Sequence, residues 1–229
     1  MQKLADDIYL IEGSDLVFAG AKMGTRSTVV RLTDGSLWVH SPVQLTKEVL
    51  ESVEQLGGTV SVLIAPNKFH YLYLQQWVDR WPEAQVFADS ALKKKVKDLP
   101  PNETISDEVP AIYADEFDQL VFDGNKVFQE SVFFHKASRT AIFTDLLINV
   151  CIEHQPLLAR TFLKFEQVAS PNGGIPRLFK LTSNKKRARA NAEKILAWQP
   201  QRLIFSHGDA FTDNADAVLR REFGWLLPG

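Results

Sequence analysis

The sequence predicts a mixed α/β fold, and three observations carry that reading. Apolar runs of four to six residues recur along the chain and end in turn residues, as at Val60 to Ala65 and Arg202 to Phe205. Runs of that length suit strands buried in a sheet. Two pairs of such runs flank Asp34-Gly35 and Asp123-Gly124-Asn125, which is hairpin chemistry because a tight turn needs positive φ at its centre. Between them lie segments whose apolar residues keep to one helical face.

Taken in order, Ile8 to Ile11 and Leu16 to Ala19 are short strands, and Thr28 to Leu32 is expected to pair antiparallel with Leu37 to His40. Thr46 then caps a helix in which Val49, Leu50, Val53 and Leu56 share a face; Leu45 packs back on Leu50, and Gly57-Gly58 ends it. Val60 to Ala65 is apolar on both faces, as a central strand is, and stops at Pro66. Asn67, Lys68, Phe69 and His70 precede a helix over Tyr71 to Trp81, where Asn67 is either the cap of that helix or part of a site at its N-terminus. Gln85 to Ala88 is a strand, Ser90 to Leu99 a short helix, and Pro100-Pro101 opens a loop. Gln119 to Phe122 and Val127 to Phe134 make the second hairpin. That strand ends at His135, turns through Lys136-Ala137-Ser138-Arg139, and returns as Thr140 to Phe143 before Thr144-Asp145. Leu146 to Leu163 is expected to be largely helical apart from Pro156, and Pro171 to Pro176 to be a loop. Asn184 to Trp198 reads as a basic helix with Ala188, Ala192, Ile195 and Leu196 inside, and Arg202 to Phe205 as a last strand ending in Ser206-His207-Gly208-Asp209.

With no repeat, low-complexity tract or convincing linker in 229 residues, one domain over residues 1–229 is expected. A content of 45% hydrophobic and 24% charged residues with net charge −2 fits a soluble globular protein and not a disordered or strongly nucleic-acid-binding one. The basic helix is therefore read as a solvated face, and nucleic acid is not an expected partner. The single Cys151 leaves no internal disulfide and fits a reducing compartment. The stretch MQKLADDIYLIEG has neither the charge pattern of a signal peptide nor the length of a membrane span, so a cytoplasmic location without a membrane partner is expected.

An isolated histidine at a strand end is usually a turn residue or a satisfied polar group. Here four of the five histidines, His40, His70, His135 and His207, each follow an apolar run, and only His154 lies elsewhere. Such ends converge if the strands are neighbours in one sheet or face each other across a sandwich. With Asp145 added, the set suits zinc, iron or manganese, since imidazole is a borderline ligand and a carboxylate balances part of the charge.

The order of parts resembles the metallo-β-lactamase superfamily. The stretches VSVLIAPNKFH, FFHKASRTAIFTDLL and RLIFSHGD carry the resemblance, which extends over nearly the whole chain. More narrowly, the chain is similar to a branch of unknown function in which the H-x-H-x-D-H motif is degenerate. The resemblance implies an α/β (α+β) four-layer αββα sandwich of mixed, mostly antiparallel sheets with metal ligands at one edge. In its terms His135 matches a His ahead of a Gly/Ser-containing turn, Thr144-Asp145 the family's G-D, and Ser206-His207 its G-H. The chain departs from the pattern at the first motif, where Pro66 to Tyr71 supplies only Asn67 and His70, and at His40, roughly where the family has an Asp that orients a ligand.

A two-metal centre is therefore not expected. His70, His135, Asp145 and His207 are the expected ligands of one zinc, iron or manganese ion, and His40, Asn67, Lys136, Arg139 and Asp209 are expected to position them or to bind substrate. The implied activity is metal-dependent hydrolysis of a small ester, lactone, thioester or phosphoester, with Lys136, Arg139 or Asn67 facing developing negative charge. No G-x-S-x-G elbow points to a serine nucleophile. The broken first motif keeps a second reading open: a catalytically inactive relative that binds a small-molecule ligand or a partner without metal.

Overall fold

The computed structural model describes residues 1–227. The first half of the chain builds a seven-stranded sheet. Strands β1 (Gln2–Ala5) and β2 (Ile8–Glu12) are followed by a separate hairpin, β3 (Leu16–Phe18) and β4 (Ala21–Met23), after which β5 (Arg26–Arg31) rejoins the sheet antiparallel to β2 and β6 (Leu37–His40) pairs antiparallel to β5. Asp34-Gly35 closes the β5–β6 turn as expected, with Gly35 at φ +83°. Helices α1 (Lys47–Glu54) and α2 (Leu74–Arg80) then carry the chain back, so β7 (Val60–Ala65), β8 (Gln85–Ala88) and, after α3 (Leu92–Lys95), β9 (Glu103–Thr104) run parallel to β6. Thr46 caps α1, its Oγ1 accepting from the Val49 amide at 3.3 Å.

The second sheet has four strands: β10 (Phe117–Phe122), β11 (Glu130–His135), β12 (Thr140–Ile142) and β13 (Arg202–Ile204). The first three are antiparallel neighbours. Strand β13 is parallel to β12 because α4 (Leu157–Phe165), α5 (Arg177–Thr182) and α6 (Lys185–Ala197) lie between them, and α7 (Ala215–Phe223) follows.

Three apolar zones turn these sheets into four layers. Trp38, Val62, Ile64 and Phe87 of the first sheet pack against Phe117, Phe133, Ile142 and Ile204 of the second. On the outside, Val53 of α1 and Trp77 of α2 cover Val39 and Leu63, while Ala188, Ile195, Leu219 and Phe223 of α6 and α7 cover Phe122, Ala141 and Leu203. The result is the expected αββα sandwich. Each such large side chain contributes about 1.5–3 kcal/mol when fully buried.

Three expectations are corrected. Helix α2 begins at Leu74, not Tyr71, and Asn67 does not cap it: the Asn67 Oδ1 accepts from the amides of Phe69 (2.8 Å) and His70 (3.1 Å) in a local turn. The helix expected over Ser90 to Leu99 is only the four residues of α3. Residues 146–156 are not helical, and α4 starts only after Pro156. Leu146, Leu147, Ile148 and Val150 are buried almost consecutively, which a helix with one inner face cannot do; the segment bridges instead to Gly174, Gly208 and Ala169. Among the described residues no helix is long and apolar enough to cross a membrane.

The turn after β13 has no room for a side chain. Gly208 sits at φ +89°, and a Cβ there would lie 1.9 Å from the Asn149 carbonyl oxygen. Gly208→Ala is expected to lower stability by about 2 kcal/mol or more through backbone strain and displacement of residue 149. Urea unfolding would show it as a lower midpoint with an unchanged slope.

Candidate metal centre

The C-terminal ends of β7, β12 and β13 meet at one edge of the sandwich. There His70, Asp145 and His207 bring one nitrogen or oxygen each to within 4.8 Å of one another. The Asp145 carboxylate lies between the two rings, with Oδ2 3.2 Å from His70 Nε2 and Oδ1 3.1 Å from His207 Nε2. Their side chains are 8–16% exposed, so solvent reaches the cluster through a narrow opening.

Each ring is aimed by its other nitrogen. His207 Nδ1 lies 2.6 Å from the Gly24 carbonyl, and since a carbonyl can only accept, Nδ1 carries a proton. Nε2 points at Asp145, donating to it in the protonated ring and free to bind an ion in the neutral one. His70 Nδ1 lies 2.6 Å from the Ser41 hydroxyl, which is itself 3.4 Å from Ser206 Oγ. Asp145 is aimed by Asn67, which is fully buried. The Asn67 Nδ2 reaches Asp145 Oδ2 (2.8 Å), Thr144 Oγ1 (2.8 Å) and, more loosely, Glu130 Oε2 (3.3 Å).

Glu130 is a residue that sequence reasoning missed. It opens β11, is fully buried, and accepts from three successive amides: Thr144 (2.7 Å), Asp145 (2.6 Å) and Leu146 (3.0 Å). This carboxylate fixes the backbone that carries Asp145. The available signal was a lone acidic residue at the head of the apolar stretch SVFF.

Electrostatics follow from this packing. Burial alone would raise the Asp145 carboxyl, but the charge of His70 and hydrogen bonds from His207 and His70 hold it well below the usual carboxylate range. Burial would lower His207, yet its hydrogen bond and attraction to Asp145 raise it. Burial and the neighbouring Asp145 push Glu130 up against the lowering effect of the Thr144 and Asp145 amides.

The donor set fits a metal ion. At bonds of about 2.0–2.1 Å, neighbouring ligands of a tetrahedral ion stand about 3.3 Å apart, close to the Nε2–Oδ separations here. Two imidazoles and a carboxylate, each held by a partner behind it, are what zinc or a related ion takes, and such a set leaves a coordination position for substrate.

Of the four expected ligands, His135 is not in this cluster. It pairs with Thr140 across the β11–β12 hairpin, and Asp145 lies five residues further along, about 16 Å at about 3.3 Å per residue. Its Nδ1 bonds Ser138 Oγ (2.8 Å) and its ring packs on Phe117. Lys136 and Arg139 share that far hairpin, where they bond the carbonyls of Ala114 and Gln199, so neither faces the cluster. A cavity of about 1300 Å³ at this end, lined by His135, Lys136, Ser138 and Arg202 among others, has no residue in common with the His–Asp–His cluster. Asp209 is exposed two residues past His207.

His40 lies behind the cluster without joining it. It is buried, stacked on Trp38 and edge-on to Phe133, and its Nε2 has no partner among the described residues. Burial, with a smaller contribution from His70, lowers its pKa to about 3.

A sandwich of this architecture with histidines and an aspartate at one edge is a metallo-β-lactamase fold. The solved metallo-β-lactamase from Pontibacter korlensis is 14% identical and superposes with a TM-score of 0.66 over 98% of this chain and 97% of its own. The metallo-β-lactamase from Hirschia baltica is 13% identical, with a TM-score of 0.66 over 100% and 97%. The DIM-1 metallo-β-lactamase exposed to ceftazidime is 13% identical, with a TM-score of 0.67 over 97% and 94%. At these identities the likeness is one of fold. The chain itself belongs to the family described as "Domain of unknown function (DUF4336)", which matches residues 5–173. No curated protein sequence matches it.

Two outcomes are expected of this site's supports. Glu130→Ala leaves three amides without their acceptor and should cost about 3 kcal/mol, read by urea unfolding. His40 stays neutral in the fold while the unfolded chain protonates near pH 6.5, so its share of stability is present above that pH and is lost as pH falls toward about 3. The difference in unfolding free energy between wild type and His40→Phe should change by up to about 1.4 kcal/mol per pH unit across this window; a pH-independent difference would refute the neutral assignment.

Proposed function

We propose that this protein is a metal-dependent hydrolase with a single-metal site formed by His70, Asp145 and His207. The observation that carries the reading is the convergence of these donors, with each imidazole's Nδ1 occupied by Ser41 or Gly24 and each Nε2 turned inward. Zinc, iron or manganese suits the set. A bound divalent ion would supply Lewis acidity toward a carbonyl or phosphoryl oxygen and acidify water beside it.

The chain's own residues account for the rest. Gly24 and Ser41 fix the ring planes. Asn67 holds the carboxylate in register, and Glu130 keeps the Thr144–Leu146 backbone from shifting when the charge at Asp145 changes. Asn67 cannot also face a substrate oxygen, because its amide hydrogens are engaged by Thr144 and Asp145. Lys136 and Arg139, at the other end of the sheet, are not assigned a role. The substrate is a small molecule of the ester, lactone, thioester or phosphoester class.

One observation favours a second reading. Asp145 already joins both imidazoles, so the cluster is satisfied as an ion-paired unit, and a metal-free protein that binds a ligand or partner there is the alternative. Elemental analysis of protein purified without chelator separates the two. The hydrolase reading expects about one equivalent of transition metal, lost in His70→Ala and His207→Ala and retained in His135→Ala, because ligand deletion removes affinity and a distant change does not. Protein that stays metal-free after supplementation supports the second reading, and loss of metal in His135→Ala would mean that the ligand set is wrong.

A further inference from the structure

Beside this edge lies a face on which exposed apolar and basic side chains occur together. In the β3–β4 hairpin Ala21 and Met23 turn inward against Ala159 and Leu163 of α4, whereas Val17 (72% exposed) and Phe18 face solvent. The Phe18 ring lies 6.2 Å from that of Phe162 and ties the hairpin to α4. Helix α4 continues the face with Leu157 and Leu158 (85% exposed). Helix α5 is docked to it through the Glu166 side chain, which accepts from the Leu178 amide at 3.0 Å, and through Arg177, whose guanidinium covers the Phe165 ring at 4.6 Å. While α5 buries Phe179, it exposes Leu178 and Leu181 (73%). Lys185 and Lys186 follow in the first turn of α6, and neither side chain makes an ion pair or hydrogen bond among the described residues.

Positive charge is concentrated along the same stretch. From Leu157 to Arg189 the chain holds eight Lys or Arg residues against Glu166 alone, a net +7 for the segment, so the remainder carries −9 of the total −2. Lys180 and Arg187 of that segment are paired with Glu222 and Asp123 from outside it. The near-neutral average of the whole chain hides this local excess.

We propose that this face is a docking surface for an anionic lipid bilayer, with Val17, Phe18, Leu157, Leu158, Leu178 and Leu181 entering the headgroup boundary and the lysines and arginines around them meeting lipid phosphates. Contiguous exposed apolar side chains mark an interaction site. Pairing two copies through this face would set an excess of positive charge against the same excess, including Lys185 and Lys186, unpaired among the described residues. Nucleic acid would satisfy the charge but offers no apolar phase to the leucines. An anionic bilayer meets both needs, and apolar insertion combined with basic attraction is how surface-bound helices hold to lipid without crossing it. The face lies close to the metal centre, since Gly24, which holds His207, directly follows β4. The docking does not depend on metal or on hydrolysis.

Vesicle sedimentation tests it with the full chain. The protein should pellet with phosphatidylcholine vesicles containing about one third phosphatidylglycerol, remain in the supernatant with phosphatidylcholine alone, and be released as salt rises from about 0.1 M to about 1 M. Leu158→Glu with Leu181→Glu, and separately Lys185→Glu with Lys186→Glu, should each lower the partition coefficient about tenfold or more, with thermal unfolding unchanged because all four side chains are exposed. Failure to pellet with anionic vesicles, or unchanged partition in both double variants, overturns the proposal. So does a dimer in sedimentation velocity that Leu158→Glu with Leu181→Glu dissolves in a protein that ignores vesicles, or salt-sensitive binding to RNA or DNA by such a protein.

Discussion

The Asp145 carboxylate joins the two halves of the molecule. His70 comes from the loop after β7 of the first sheet and His207 from the turn after β13 of the second, and Asp145 touches both. A buried carboxylate is tolerated only where charges and hydrogen bonds compensate its lost hydration. Here two imidazoles, the Asn67 amide and a backbone clamped by Glu130 provide that compensation, so a second buried carboxylate stabilises the position of the first. The like charges of Glu130 and Asp145 oppose each other, and Asn67 donates between them. The spacing that makes the cluster a good ion-paired unit is also the spacing of ligands around one metal ion.

Much of the fold was legible in the sequence because its signals are local. Asp34-Gly35 closes its hairpin, Thr46 caps its helix, and VSVLIA is the central parallel strand it reads as, whereas after Asp123-Gly124-Asn125 the chain stays out of the sheet until Glu130, later than the expected start at Val127. Leu146 to Val150 misled because a dense apolar run has no period: the same letters serve a buried extended segment as well as a helix. Only the bridges to Gly174, Ala169 and Gly208 decide between them, and these are tertiary.

The site was half legible, and the failure at His135 is instructive. Histidines at the ends of strands converge only if the strands point the same way. β7, β12 and β13 do, whereas β11 runs against β12, so the His that ends β11 lies at the wrong end of the sheet. That much followed from the hairpin turn itself: with Lys136 to Arg139 as the turn, His135 faces Thr140, and each further residue of β12 carries the chain away from it. Glu130, at the start of β11, is near Asp145 for the same reason. A residue that supports a ligand through its backbone leaves no motif, and Glu130 became visible only with its three amide donors.

Parallel pairing also explains why the apolar and basic face stands where it does. An antiparallel strand can follow its neighbour after a tight turn, but β13 must re-enter beside β12 in the same direction, which requires a long crossover. In this chain the crossover runs from residue 146 to residue 201. Its inner side is used at once: the Asn149 amide bonds the His207 carbonyl at 3.1 Å, and Gly208 packs against residue 149 so closely that no side chain fits. Helices α4, α5 and the start of α6 are the outer part of the same excursion. The segment that fixes the His207 turn from within thus presents Leu157, Leu158, Leu178, Leu181 and an excess of positive charge outside, which makes site geometry and surface chemistry consequences of a single topological requirement.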